Sequence, residues 1–101
     1  MIVVPNPTKR LEPIKYNHPV KIEYEVQNTG DEPIEITNMG TQCGCTAATM
    51  SVNPIPANGS AIFSLVYNAS HHGNINKIGW FETGKGQDVK RETVYFSVNV
   101  N

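Results

Sequence analysis

Residues 20–27 constrain the chain more than any other stretch: Val20, Ile22, Tyr24 and Val26 alternate with Lys21, Glu23, Glu25 and Gln27. A period of two puts the apolar set on one side of an extended strand and the charged set on the other, which an α-helix cannot do. The alternation returns at the end, where Val94, Phe96, Val98 and Val100 are separated by Tyr95, Ser97 and Asn99. Residues 61–68 carry Phe63, Leu65 and Tyr67 on one face and Ile62, Ser64 and Val66 on the other, the pattern expected of a central strand covered on both sides. No stretch holds apolar residues at i, i+3, i+4 and i+7 for three turns, so strands must build the fold.

The segments between these strands punctuate an all-β domain. Asn28-Thr29-Gly30-Asp31-Glu32-Pro33 reads as the turn of a hairpin joining 20–27 to a strand at 34–37. A short run at 47–52 is a further pairing segment, and residues 53–59, with Pro54, Pro56 and Gly59, form a loop. Residues 75–82 read as a weaker strand containing Ile78, Trp80 and Phe81, and residues 83–88 turn the chain into the last strand. Counting a first strand at 2–4 or 10–14, about seven short strands recur at roughly ten-residue spacing. The fold predicted is an all-β, immunoglobulin-like antiparallel β-sandwich of about seven strands. Residues 1–13 serve as an N-terminal arm or first strand, and residues 14–101 form the sandwich.

A chain of 101 residues has room for one core. With 39% hydrophobic and 17% charged residues it is too apolar for disorder, and it has no apolar run able to span a bilayer, so no membrane partner is expected. A formal net charge of −1 argues against nucleic acid, and the pair Lys90-Arg91 is followed at once by Glu92. The start, Met-Ile-Val-Val-Pro-Asn-Pro, has neither a charged n-region nor an apolar h-region. The expected location is therefore the cytoplasm, or a virion released by lysis.

Chemistry has few candidates. Cys43 and Cys45, separated by Gly44, are the only thiols. A disulfide between them would be strained and easily reduced. No Lys, Arg or His lies within four residues to activate them, and a zinc site would need two further ligands. His71 and His72 are the obvious pair, but adjacent residues on an extended chain point opposite ways. The bland reading has small cysteines packing at a sheet corner. No nucleophile, base and orienter assemble from His18, Asp31 and Asp88, which read as turn residues, so no enzyme activity and no cofactor are expected. Trp80 and Phe81 are neighbours on one strand, so one of them must face outward and can anchor a partner. In the arm, Ile2, Val3 and Val4 are apolar enough to dock on a neighbouring subunit, while Pro5, Pro7 and Pro13 oppose regular strand.

Four motifs in order, Asn28-Thr29-Gly30-Asp31, Cys43-Gly44-Cys45-Thr46, Pro56-Ala57-Asn58-Gly59 and Tyr67-Asn68, resemble a bacterial Ig-like family of unknown function. That family looks like a relative of the major-sperm-protein, PapD-like and cilium-associated Ig-like domains. The resemblance implies a sandwich and a non-catalytic scaffold or adaptor role. The chain departs from it in lacking an export signal and in its His71-His72-Gly73-Asn74 loop. The preferred expectation is a phage virion component, such as a capsid decoration, neck or tail protein, that binds neighbouring protein subunits or further copies of itself. The alternatives are a bacterial envelope or cytoplasmic protein-binding adaptor using an edge strand or the Cys43 loop, and a thiol redox or metal-binding module built on Cys43 and Cys45.

Overall fold

The alternating segments become the inner strands of two packed sheets. The computed structural model describes residues 1–42, 46–84 and 86–101. The first sheet has the order β1 (Ile2–Val3), β3 (Val20–Asn28), β6 (Ser60–Tyr67), β5 (Thr46–Met50). The second has the order β2 (Thr8–Arg10), β8 (Lys90–Val100), β7 (Gly73–Thr83), β4 (Ile36–Thr41). The apolar faces of β3, β6, β7 and β8 meet in one core that includes Tyr24, Phe63, Leu65, Tyr67, Phe81 and Phe96. Phe63 and Phe81 meet edge to face with ring centroids 5.1 Å apart, which ties the two sheets at their centre. The sandwich read from the alternation is thus the fold observed.

Four details differ from the sequence reading. Residues 28–33 do not turn a hairpin: β3 pairs with β1 and β6, while β4 pairs with β7 in the other sheet, so this segment crosses between sheets. The buried Asn28 side chain sets that path. Its Nδ2 donates to the carbonyls of Glu32 (2.8 Å), Ile55 (3.1 Å) and Pro56 (3.2 Å), and its Oδ1 accepts from the Gly30 N–H (3.0 Å). The strand expected to be weak at 75–82 is β7, eleven residues long and central in its sheet; glycine and asparagine weakened its signal, and pairing on both sides overrides propensity. β6 is central as expected, but its outer face is open, with Ile62 36% and Val66 38% exposed. Finally, the sheets are not wholly antiparallel. The N-terminal segment pairs antiparallel with β3 at β1, then parallel with β8 at β2. Pro5 and Pro7 fall between these two pairings, where no ladder N–H is needed, and Tyr95 N–H bonds to the Pro7 carbonyl at 2.7 Å.

Two buried tyrosines make opposite demands on the core. The Tyr24 hydroxyl donates across the sandwich to the Tyr95 carbonyl at 2.7 Å, whereas the fully buried Tyr67 hydroxyl has no hydrogen-bond partner among the described residues. Tyr24→Phe therefore loses about 1 kcal/mol, and Tyr67→Phe is neutral or gains up to about 1 kcal/mol, as read from urea midpoints. Equal losses for the two would contradict this. Burial also holds both phenols protonated, raising their pKa above the usual value. A raised folded-state pKa gives stability that is complete below the unfolded value near about 10 and is lost as pH climbs above it. Stability should hence fall above about pH 10, and fall less in a Tyr24→Phe/Tyr67→Phe double variant. Parallel curves for the two proteins would refute the assignment.

Candidate functional site: the open edge of the first sheet

A sandwich has sheet edges where backbone N–H and C=O groups lack partners, and most proteins close or blunt them. In the second sheet both are partly covered, and what stays open is short or charged: β2 is three residues long with Lys9 and Arg10, and β8 ahead of Tyr95 carries Lys90, Arg91 and Glu92. Along β8, the chain after β2 continues the cover: Leu11 N–H bonds to Ser97 O (2.9 Å), Ile14 N–H to Asn99 O (3.0 Å) and Asn101 N–H to Ile14 O (2.9 Å). At β4 side chains do the work. Asn53 accepts from the Ile36 N–H (2.8 Å) and donates to the Ile36 carbonyl (2.9 Å), imitating a strand, and Asn38 Oδ1 accepts from the Met39 N–H (3.0 Å). The register also slips between Ile36 and Asn38, which further disrupts pairing.

The first sheet is different. β1 covers β3 only at Gln27 and Asn28. Asn28 N–H bonds towards β6 at Gly59 O, and Thr29 N–H bonds towards β1 at Met1 O, so by alternation Lys21, Glu23 and Glu25 present their backbone groups outward. Those residues carry charges, and a charged edge resists strand addition. Among the described residues β5 is capped only at its start, where the Thr41 hydroxyl donates to the Thr46 carbonyl at 2.9 Å. Ser51 N–H bonds to Ile62 O at 2.9 Å, which fixes Thr49 and Ala47 as the residues facing β6 and turns the backbone of Ala48 and Met50 outward. Two donors and two acceptors thus line an uncharged strand, Thr-Ala-Ala-Thr-Met. Beside it, exposed Ile62 and Val66 on β6 extend an apolar strip; the nearest charges, Lys21, Glu23 and Glu25, stand one strand further away.

The residues singled out from the sequence fall as follows. Ile2 and Val4 are half-buried against the core and Val3 is exposed. Phe81 is wholly buried and unavailable to a partner, so Trp80 is the outward member of the pair. The Trp80 ring is itself engaged: the Arg91 guanidinium lies 4.0 Å from its centroid, and the ring rests against Gly40, where an added Cβ would sit 2.6 Å from Trp80 Cζ2. Arg91 is held there by Glu82 at 2.9 Å. The two histidines are engaged separately, His72 stacked on Tyr16 at 4.2 Å and His71 Nδ1 3.2 Å from Ser70 Oγ. Among the described residues no group of three or more His, Cys, Asp or Glu could hold a metal ion. Cys43, Gly44 and Cys45, and with them the proposed thiol corner, lie outside the described residues. Sequence reasoning flagged residues 47–52 as a pairing segment but had no signal that the backbones of Ala48 and Met50 turn away from the sheet.

The fold has recognisable relatives. The ASH/PapD-like domain 7 of human CEP192 superposes with a TM-score of 0.78 at 7% identity, over 99% of this chain and 84% of that one. The YadV chaperone gives 0.67 at 17% identity, over 99% of this chain and 52% of that one. The Vibrio cholerae VesB protease gives 0.74 at 11% identity, over 93% of this chain and 30% of that one, so the chain spans under a third of that protein. No curated protein matches the sequence significantly. At these identities the likeness is one of fold, PapD-like and Ig-like. Residues 2–100 match the family described as Protein of unknown function (DUF1573), and the chain belongs to that family.

Proposed function

We propose that this domain is a non-catalytic protein-interaction module that takes an extended segment of a partner along β5, adding a strand to the first sheet. The observation that carries the reading is the outward backbone of Ala48 and Met50 on an uncharged five-residue strand, where the other described edges are two or three residues long, capped or charged. Main-chain hydrogen bonds supply the affinity in this mode of recognition, and side chains at alternate positions of the added strand supply the selectivity. On the outer face the added strand would sit beside Ala47 and Thr49, small side chains that suit a partner segment with apolar residues on that face. The narrower expectation of a virion component rests on the sequence alone; the proposal here is the interaction itself.

Ala48→Pro tests it. Proline is tolerated on an edge strand whose N–H faces solvent, so the fold should survive while one outward donor disappears. Peptides selected from a displayed random library should shift and protect the Ala48 and Met50 amides in NMR spectra. They should also bind the variant about tenfold or more weakly. Selected peptides that map elsewhere, or that bind Ala48→Pro unchanged, would overturn the reading.

A further inference from the structure

The outer face of the second sheet has a composition that strand formation does not explain. Asparagine is depleted in strands, yet Asn74, Asn76 and Asn99 all point outward from β7 and β8. The outer face of the first sheet, with Lys21, Glu23, Ala47, Thr49 and Ile62, holds no asparagine among its described residues. Register places the amides in rows: Asn99 opposite Asn74, then Ser97 between Arg10 and Asn76, then Tyr95 between Thr8 and Ile78. Gln42 extends the last row, its N–H bonded to the Ile78 carbonyl at 3.2 Å. The side-chain amides of Gln42, Asn74, Asn76 and Asn99 make no hydrogen bond to the described residues, and Asn74, Asn76 and Asn99 are exposed. Two shallow grooves of about 390 and 400 Å³ lie side by side across the strands, meeting along the row Arg10, Ser97 and Asn76, and together make a two-part trough. Tyr95, 46% exposed, stands at one end of it.

We infer that this trough is a binding site for a neutral polysaccharide. A sugar hydroxyl both donates and accepts, which is what an amide side chain answers, and the apolar face of a sugar ring packs on an aromatic such as Tyr95. Arg10 and Lys77 are the charged residues of the lining, Lys77 on the inward side of β7, too little to gather a polyanion. A protein partner would want an apolar centre, and here the middle of the trough is Arg10, Ser97 and Asn76. The site is separate from β5 and does not depend on the strand-addition reading. Trp80, the only tryptophan, sits on the same face and reports on it.

Affinity electrophoresis in gels containing β-glucan, xylan, mannan or soluble starch, with Trp80 fluorescence read in parallel, tests the inference. At least one polymer should retard the protein and perturb the fluorescence. Tyr95→Ala and Asn76→Thr should each weaken retention about tenfold or more. Threonine is the better strand former, so Asn76→Thr should raise the melting temperature while losing the polymer, an outcome that a merely structural asparagine would not give. No retardation by any of the four polymers, or retention unchanged in both variants, would overturn the site.

Discussion

Asn28→Asp is expected to destabilise the domain by about 3–5 kcal/mol at neutral pH, the largest effect of any near-isosteric change in the chain. The side chain is buried, and its Nδ2 faces three carbonyl oxygens, those of Glu32, Ile55 and Pro56. A carboxylate has no donor to offer them and would set an unpaired negative charge against three negative dipole ends. Two of those carbonyls keep another donor, Ile34 N–H at Ile55 and Gly59 N–H at Pro56, so the cost is chiefly that of the charge. Asn28→Ala should accordingly lose less, about 1–3 kcal/mol. The sign of the pH dependence follows. Burial against carbonyls raises the pKa of the introduced carboxyl in the folded state, so protonation favours folding and the deficit of Asn28→Asp shrinks as pH falls. Urea unfolding at neutral and acid pH measures this, and a pH-independent loss would show that the carboxylate reaches solvent.

Gly79→Ala should cost about 2–3 kcal/mol, although alanine is ordinarily the better residue in a strand. Gly79 points inward from β7, and a Cβ there would lie 2.6 and 2.8 Å from the two methyl carbons of Leu65, which is itself fully buried. Cores at crystal-like density have no slack for such an overlap, so Leu65 must leave its rotamer or the sheets must separate. Shortening the opposing side chain should relieve it. Gly79→Ala combined with Leu65→Val should be more stable than the sum of the two single losses by about 1 kcal/mol. Strict additivity would show that the cost comes from the β7 backbone and not from the Leu65 contact.

Much of the fold was legible because its core strands advertise themselves locally. Val20 to Val26 and Val94 to Val100 alternate so regularly that one face had to be buried, and Phe63, Leu65 and Tyr67 had to meet it. Trp80 and Phe81 were correctly split into one outward and one inward residue by the pleat alone. β7 was undervalued, since its glycines and asparagines depress propensity while its stability comes from two neighbouring strands. The hairpin read at residues 28–33 failed because turn chemistry reports that the chain bends, not which sheet it enters afterwards. Asn28 decides that through contacts to residues 27 and 28 positions away along the chain.

By itself, then, the amino-acid sequence determined the class of the fold and the inward face of each main strand, because pleat periodicity and side-chain polarity are properties of neighbouring residues. Tertiary structure alone decided the order of strands, the switch of the N-terminal segment from β3 to β8, and the open edge at β5. An edge is defined by the absence of a neighbour, and Thr-Ala-Ala-Thr-Met would read the same between two strands as beside one. The same holds for the amide-lined face, whose residues come from β7 and β8 and meet through pairings such as Asn74 with Asn99.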